Sequence, residues 1–213
     1  MKRSLPIRSA LLLMVGAWLT KPCLAQDPAI TFTSLEDALR TPEAVHRLDL
    51  SDASLGRFPL DVLRLPNLEY LSLRNDGITE LPDAIGGLQR LKVLDLSGNP
   101  IARLPEGFTG LRSLEELFLN EDHAFSAEAD LDRLARLPNL RVLHLERDGL
   151  TLLPGNVAKL RALEELYLNG NGLRELPPEI LGAKRLRVLD VTANPIDLTI
   201  PLELQGRGVL VRF

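Results

Sequence analysis

The sequence predicts an α/β solenoid, and three observations carry that prediction. One leucine pattern recurs from Val45 onward, in seven units that begin at Val45, Leu68, Leu91, Leu114, Leu140, Leu163 and Leu186, a step of 23 residues stretched once to 26. The first part of each unit alternates apolar and polar residues, as in Leu94-Asp95-Leu96-Ser97, the period of a short strand with its leucines on one face. The second part carries Leu-Pro and then apolar residues three apart, as in Leu104-Pro105, Phe108 and Leu111, which suits a helical or 3-10 return. One such unit buries too little apolar surface to offset the ordering of its own backbone. The units must therefore stack, leucine row against leucine row, with their strands side by side in one parallel sheet.

The chain is 213 residues long, 45% hydrophobic and 25% charged, enough for one continuous core. In residues 1–25, Lys2, Arg3 and Arg8 precede the apolar run Ala10 to Leu19, and Cys23-Leu24-Ala25 offers small residues where a signal peptidase cuts. We read a secretory signal cleaved after Ala25, with the mature chain secreted or periplasmic. The apolar run is about half of the ~20 residues that span a bilayer, so no stable membrane anchor is expected. Thr20-Lys21-Pro22 is a poor lead-in to lipid attachment at Cys23, which is the secondary reading.

Cleavage would remove every Met, Trp and Cys of the sequence, and leave 21 basic against 29 acidic residues, a balance of −8. That chemistry excludes a cysteine nucleophile, thiolate metal sites and disulfides, and makes nucleic acid an unsuitable partner.

Residues 26–44 precede the repeats and contain Thr33-Ser34-Leu35-Glu36, a capping-box sequence expected to start a short helix through Arg40 with Leu35, Ala38 and Leu39 on one face. Thr41-Pro42 ends it, because a residue before proline is pushed out of the helical region. We read this segment as an N-terminal cap over the first repeat, residues 45–208 as seven repeats, and residues 209–213 as a final strand or cap.

At the ninth position of each unit the chain turns inward, and its buried backbone groups need a partner that both donates and accepts. Asn99, Asn171 and Asn194 fill this role. Asp76, Asp122 and Asp148 only accept when ionised, and Ala53 does neither, so the ladder is expected to break there and to be weaker through the middle units.

Leu163, Leu166, Leu168, Asn171 and Leu173 fit L-x-x-L-x-L-x-x-N-x-L without a gap, and Leu-Pro followed three residues on by Ile, Phe or Val occurs at Leu81, Leu104, Leu153 and Leu176. In these features the chain resembles the 23-residue leucine-rich repeats of the Ras-group-related and Scribble-like type, as an exported bacterial member. The resemblance runs from Val45 to about Leu204. It implies a leucine-rich-repeat horseshoe with a parallel concave sheet, short helical or 3-10 convex segments, and a concave face that binds another macromolecule, usually protein. The fourth unit departs from the pattern by lacking Leu-Pro and adding three residues within His123 to Asp130, and the seventh by bringing Ile200-Pro201 one residue late.

With the leucines committed to the core, function must be carried by the side chains that point out of the strands. The second position reads Glu69, Lys92, Glu115, Arg141, Glu164, Arg187, signs alternating, either a surface charge ladder or a charge-matched docking stripe. The fifth position brings Phe118, His144 and Tyr167 onto adjacent strands, with Glu116 and Glu165 two residues before the outer rings and Asn120, Glu146 and Asn169 in the next outward row. These eight residues are the candidate ligand-binding site, for a basic or sugar-bearing ligand; the alternative is cross-strand aromatic stacking in two duplicated repeats. His144 among Glu116, Glu146 and Glu165 is expected to make binding respond to pH.

The fourth-unit insertion, from Glu121 to Asp130, matches no calcium loop and lacks its glycine, so no metal is expected and a projecting loop beside the aromatic row is the preferred reading. No cofactor is expected. His46, His123 and His144 accompany no G-x-S-x-G, H-E-x-x-H or phosphate loop. Glu116 and Glu165 stand two strands apart, ~9.6 Å, near the upper edge for an inverting glycosidase, on an open wall that excludes no water. The expectation is a monomeric, non-enzymatic module for protein–protein interaction. A glycan- or cell-wall-binding surface protein is the first alternative, and a secreted effector acting on host proteins the second.

Overall fold

The structure, a computed structural model, describes residues 30–122 and 127–213. The signal-peptide reading of residues 1–25, including Cys23, and His123 of the insertion lie outside the described residues.

Among the described residues nine strands form one parallel sheet in strict chain order: β1 Thr31–Phe32, β2 Arg47–Asp49, β3 Tyr70–Ser72, β4 Val93–Asp95, β5 Glu116–Phe118, β6 Val142–His144, β7 Glu165–Tyr167, β8 Val188–Asp190 and β9 Leu210–Arg212. Strands β2 to β8 are the third to fifth positions of the seven units, paired like to like, so that Leu48, Leu71, Leu94, Leu117, Leu143, Leu166 and Leu189 form one register row. All seven of those leucines are buried. The chain thus adopts the α/β solenoid that its leucine period requires. The returns are 3-10 segments at Leu60–Arg64, Asp83–Gly87, Glu106–Gly110, Gly155–Lys159 and Pro178–Gly182, each led by a proline at its N-cap and each placing one apolar residue, Val62, Ile85, Phe108, Val157 or Ile180, in the core. On this convex side two neighbouring returns touch backbone to backbone, since a Cβ on Gly107 would run into the Asp83 carbonyl.

Ahead of the repeats, α1 spans Leu35–Arg40 and buries Ala38. Its cap is Ser34 rather than Thr33: Ser34 Oγ accepts the Asp37 N–H at 3.3 Å, and Glu36 turns instead to Arg40. Strand β1 was not anticipated from the sequence; two residues are too short for periodicity to register, yet they pair with Arg47 and Leu48.

The insertion is corrected. Residues 127–134 are not a loop beside the aromatic row but a helix, α2 (Ala127–Leu134), packed between the 3-10 returns of its neighbours on the convex side. Ala127, Leu131 and Leu134 lie on one face and are buried, which supplies the core contact that the missing Leu-Pro return would have made. Asp130 on the same face is buried too, paired to Arg133 at 2.9 Å, and desolvation raises its carboxyl above the ordinary range despite that pair. The last helix, α3 (Thr199–Gly206), buries Pro201 and Leu204.

The ninth-position ladder is half broken. Asn171 is complete: Oδ1 accepts the N–H groups of Asp148 and Leu150 at 3.0 Å, while Nδ2 donates to the carbonyls of Leu145 and Leu168. Asn99 does the same with Asp76 and Ile78, Leu73 and Leu96, and Asn194 bonds Leu173, Leu168 and Val191. The aspartates keep the accepting half. Asp76 Oδ1 takes the Ala53 N–H and Asp148 Oδ1 takes the Asp122 N–H, both at 2.9 Å. What is lost is the donation, and among the described residues Oδ2 of Asp76 and of Asp148 is buried without a partner. Burial raises both carboxyls, that of Asp148 to about 8, with the charges of Asp122 and Glu146 adding to desolvation.

Candidate functional site

Strands β5, β6 and β7 bring Phe118, His144 and Tyr167 into direct register. Adjacent parallel strands hold equivalent Cα atoms ~4.8 Å apart, close to the thickness of stacked rings, so planar side chains on one row must lie face to face. They do. The Phe118 and His144 centroids are 4.0 Å apart at 13°, and those of His144 and Tyr167 4.5 Å apart at 3°.

The imidazole is held edge-on as well. Its Nε2 lies 3.3 Å from Glu116 Oε1 on β5, and its Nδ1 lies 3.2 Å from Glu146 Oε1 two residues on. Carboxylates only accept, so both contacts are hydrogen bonds together only when both ring nitrogens carry protons. A doubly protonated His144 is then a cation between two aromatic faces, an arrangement that is itself attractive. Its side chain is 13% exposed, so it presents an edge and not a face.

The third ring is anchored by its hydroxyl, which donates to Glu165 Oε2 at 2.6 Å. That bond is the main reason the Tyr167 phenol is pushed up to about 12, with burial and the Glu165 charge adding to it. Asn120 Oδ1 accepts the Glu146 N–H at 2.8 Å and fixes the row behind the rings. Asn169 stands one strand further along the same row and lines, with Asn120, Glu146 and Phe118, a polar cavity of about 340 Å³. The eight candidate residues are therefore one contiguous patch on three strands.

Outside this patch the fifth position is tied down locally. Asp49 accepts from Ser51, Asp95 from Ser97 and Asp190 from Thr192, each through the N–H two residues on. This Asp-x-Ser/Thr turn is legible in the sequence, as an aspartate bonding its own backbone two residues later, and four units lack it: that of Ser72 and the three of the ring row. A further ring contact not anticipated places the Arg47 guanidinium 4.0 Å above the Tyr70 ring at the β2–β3 pair.

The second-position residues form a partial ladder. Glu69 meets Lys92 at 2.7 Å, Arg141 lies between Glu115 at 3.6 Å and Glu164 at 3.2 Å, and Arg187 reaches Glu164 at 3.6 Å. The Lys92 hydrogen bond lowers the Glu69 carboxyl and raises the ammonium in return. These pairs lie at the surface, with Glu164 half-buried, and are worth ~0–1 kcal/mol each. Over the units of β4 to β8 the outward rows hold Asp95, Glu115, Glu116, Glu121, Glu146, Glu164, Glu165 and Asp190 against Lys92, Arg141, Arg147 and Arg187. The face is acidic. Among the described residues, no group of His, Cys, Asp and Glu is arranged to hold a metal ion.

Comparison with known proteins agrees with this architecture. Residues 38–127 match the family model described as leucine-rich repeat region, and residues 162–183 the model described as leucine rich repeat, together just over half of the chain. The chain is a leucine-rich-repeat protein. Among solved structures, this leucine-rich-repeat protein is similar to one from Leptospira interrogans, at 26% identity and a TM-score of 0.52 over 78% of this chain and 54% of that one. It is also similar to TLR13 in complex with ssRNA13, at 28% identity and a TM-score of 0.63, covering 79% of this chain and 24% of that one. A third is the plant peptide hormone receptor RGFR1 in complex with RGF2, at 25% identity and a TM-score of 0.50, covering 69% and 23%. The leucine-rich-repeat chain thus spans about half the length of the first of these and a quarter of the others. The curated proteins provide no match. Folds of this kind form extended concave binding surfaces and commonly serve as protein–protein interaction modules. Among the described residues no helix is long and apolar enough to cross a membrane.

Proposed function

We propose that the chain is a monomeric, exported, non-enzymatic binding module whose concave face docks a protein with a basic surface, centred on Phe118, His144 and Tyr167. One observation carries this reading: three rings stacked in register and braced by Glu116, Glu146 and Glu165 make a rigid patch that loses little side-chain entropy on binding, in the middle of an acidic face. The similar RGFR1 is in complex with RGF2, and the similar TLR13 with an RNA. The acid excess here opposes a phosphate backbone and favours a protein. Export rests on the charged and apolar pattern of residues 1–25, and sequencing the N-terminus of the purified native protein tests it.

A second reading, glycan binding, has one observation in its favour. In the polar cavity beside Phe118, Glu146 Oε2 is buried without a hydrogen-bond partner among the described residues and the Asn169 amide lines the same wall, an arrangement suited to sugar hydroxyls. A crosslinking pull-down from the native envelope, run beside a glycan array, decides between the two. Docking of a protein requires a captured partner whose affinity falls at least tenfold in Phe118→Ala and Tyr167→Ala. Array binding with no captured protein selects the sugar instead, and a partner indifferent to both substitutions places the site elsewhere.

A further inference from the structure

On the N-terminal side of the ring row the strands leave a second hollow of about 320 Å³, and its chemistry differs from that of the polar cavity. Its floor is half-buried Val142, and its walls are Glu116 and Glu165, which flank Val142 in register on the two neighbouring strands; half-buried Val93 lines it from the far side of Glu116. Lys92 and Arg141 also reach the rim, but both are engaged. Lys92 is held by Glu69 on the far side, and Arg141 is shared between Glu115 and Glu164. Among the described residues neither Glu116 nor Glu165 has a lysine or arginine partner. Glu116 spends one oxygen on His144, and Glu165 one on the Tyr167 hydroxyl.

We propose that this slot over Val142 receives one lysine or arginine side chain of the docked protein. The proposal rests on the reading of the concave face as a protein-docking surface. The fit is one of shape and charge together. A lysine or arginine has an apolar stem that covers hydrophobic surface and a charged head that must stay hydrated or paired. The slot offers the Val142 methyl groups beneath and a carboxylate on either side, with the second oxygens of Glu116 and Glu165 as acceptors and Val93 beyond Glu116. An acidic residue is repelled there, and a purely apolar one leaves two carboxylates without a partner at the moment water is excluded. The slot adjoins the rings, so a basic residue seated in it places its neighbours over the Phe118–His144–Tyr167 edges.

The test is a methyl NMR titration of the full chain, following Val93 and Val142 while Nα-acetyl-arginine amide, Nα-acetyl-lysine amide or Nα-acetyl-norleucine amide is added. Norleucine carries the stem without the charge. The expected result is saturable shifts at both valines with the two cations, and binding at least tenfold weaker for norleucine. Binding of the cations is expected to weaken at least tenfold in Glu116→Gln/Glu165→Gln. Glutamine keeps an acceptor for His144 and for Tyr167, so the stack remains and only charge is removed; either single variant, at threefold or more, serves if the double variant does not fold. Unmoved valines, norleucine binding as well as the cations, or cation binding undiminished in the variants overturns the proposal. So does a captured protein partner whose affinity is indifferent to Glu116→Gln/Glu165→Gln, and that outcome leaves the docking face itself standing. Failure of the docking reading shows separately, as no captured protein, and the valine titration still supports or overturns the slot's preference for cations.

Discussion

Asp148 and Asn171 occupy the same place in consecutive repeats, joined by a bond of 3.0 Å from the Asp148 N–H to Asn171 Oδ1, and they differ in one group. Where Asn171 Nδ2 donates to two carbonyls, Asp148 Oδ2 has no partner among the described residues. Asp148→Asn restores the donor. Leaving a buried polar group unsatisfied costs about 1–3 kcal/mol, so the variant is expected to be more stable by about that much above pH 8, where Asp148 is ionised and has no donor. The sign with pH follows from the raised folded value. The folded protein holds the Asp148 proton up to about pH 8, whereas the unfolded chain releases it near 3.8. The contribution of this proton is full below the unfolded value, declines as pH rises, and is gone above about 8. Denaturant unfolding of the two proteins at pH 5 and pH 8.5 checks this, with the advantage of the asparagine expected to be larger at pH 8.5. An equal advantage at both would mean that Asp148 is ionised throughout.

The Tyr167 hydroxyl gives a spectroscopic reading of the ring row. Of the two tyrosines, Tyr70→Phe leaves Tyr167 alone, and its ultraviolet phenolate signal is expected to appear near pH 12. Adding Glu165→Ala removes both the hydrogen bond and the charge that hold the proton, and is expected to move the midpoint down toward the ordinary value of 10. A midpoint near 10 in both would show that the 2.6 Å bond is not made.

Ala193 holds a left-handed backbone, φ 55°, at the eighth position, where Gly98 and Gly170 sit at 70° and 74°. A β-carbon there costs about 1 kcal/mol. Ala193→Gly is therefore expected to raise stability by roughly 0.5–1 kcal/mol, read by thermal or denaturant unfolding. Gly170→Ala should lower it, since its Cβ would also stand 2.9 Å from Arg147 Cγ.

On the convex side, Gly107→Ala puts a Cβ against the Asp83 carbonyl, and backbone cannot step aside as a side chain can. A loss of about 1–3 kcal/mol is expected, in the range of overpacked cores. A neutral outcome would mean that the two returns slide apart freely.

The repeat architecture was legible because a period of 23 residues states the same instruction seven times, and the ring row was legible because Phe118, His144 and Tyr167 share one place in that period. Residues that do not repeat were harder. Thr31 and Phe32 pair with β2 on the strength of backbone bonds that leave no pattern in two letters, and the 127–134 segment reads as a loop in the sequence because its apolar stripe, Ala127, Leu131 and Leu134, has no counterpart at that place in the other units. The ladder was half legible. Side-chain chemistry shows that an ionised aspartate lacks a donor, whereas its acceptor bond to the preceding unit depends on how closely the two turns stack. The slot over Val142 was missed because valine in a strand reads as packing, and its exposure depends on what the neighbouring strands place beside it.

One strand per repeat also sets a pitch. An extended chain lying across the sheet advances ~3.4 Å per residue, while the sheet presents a new row every ~4.8 Å, so the two scales coincide about every third strand, after four residues of the visitor. A partner that meets the rings with one side chain and a distant outward row with another must carry those side chains at that interval. The concave wall in this way measures spacing like a vernier, and a sequence with the right residues at the wrong interval gains only one of the two contacts.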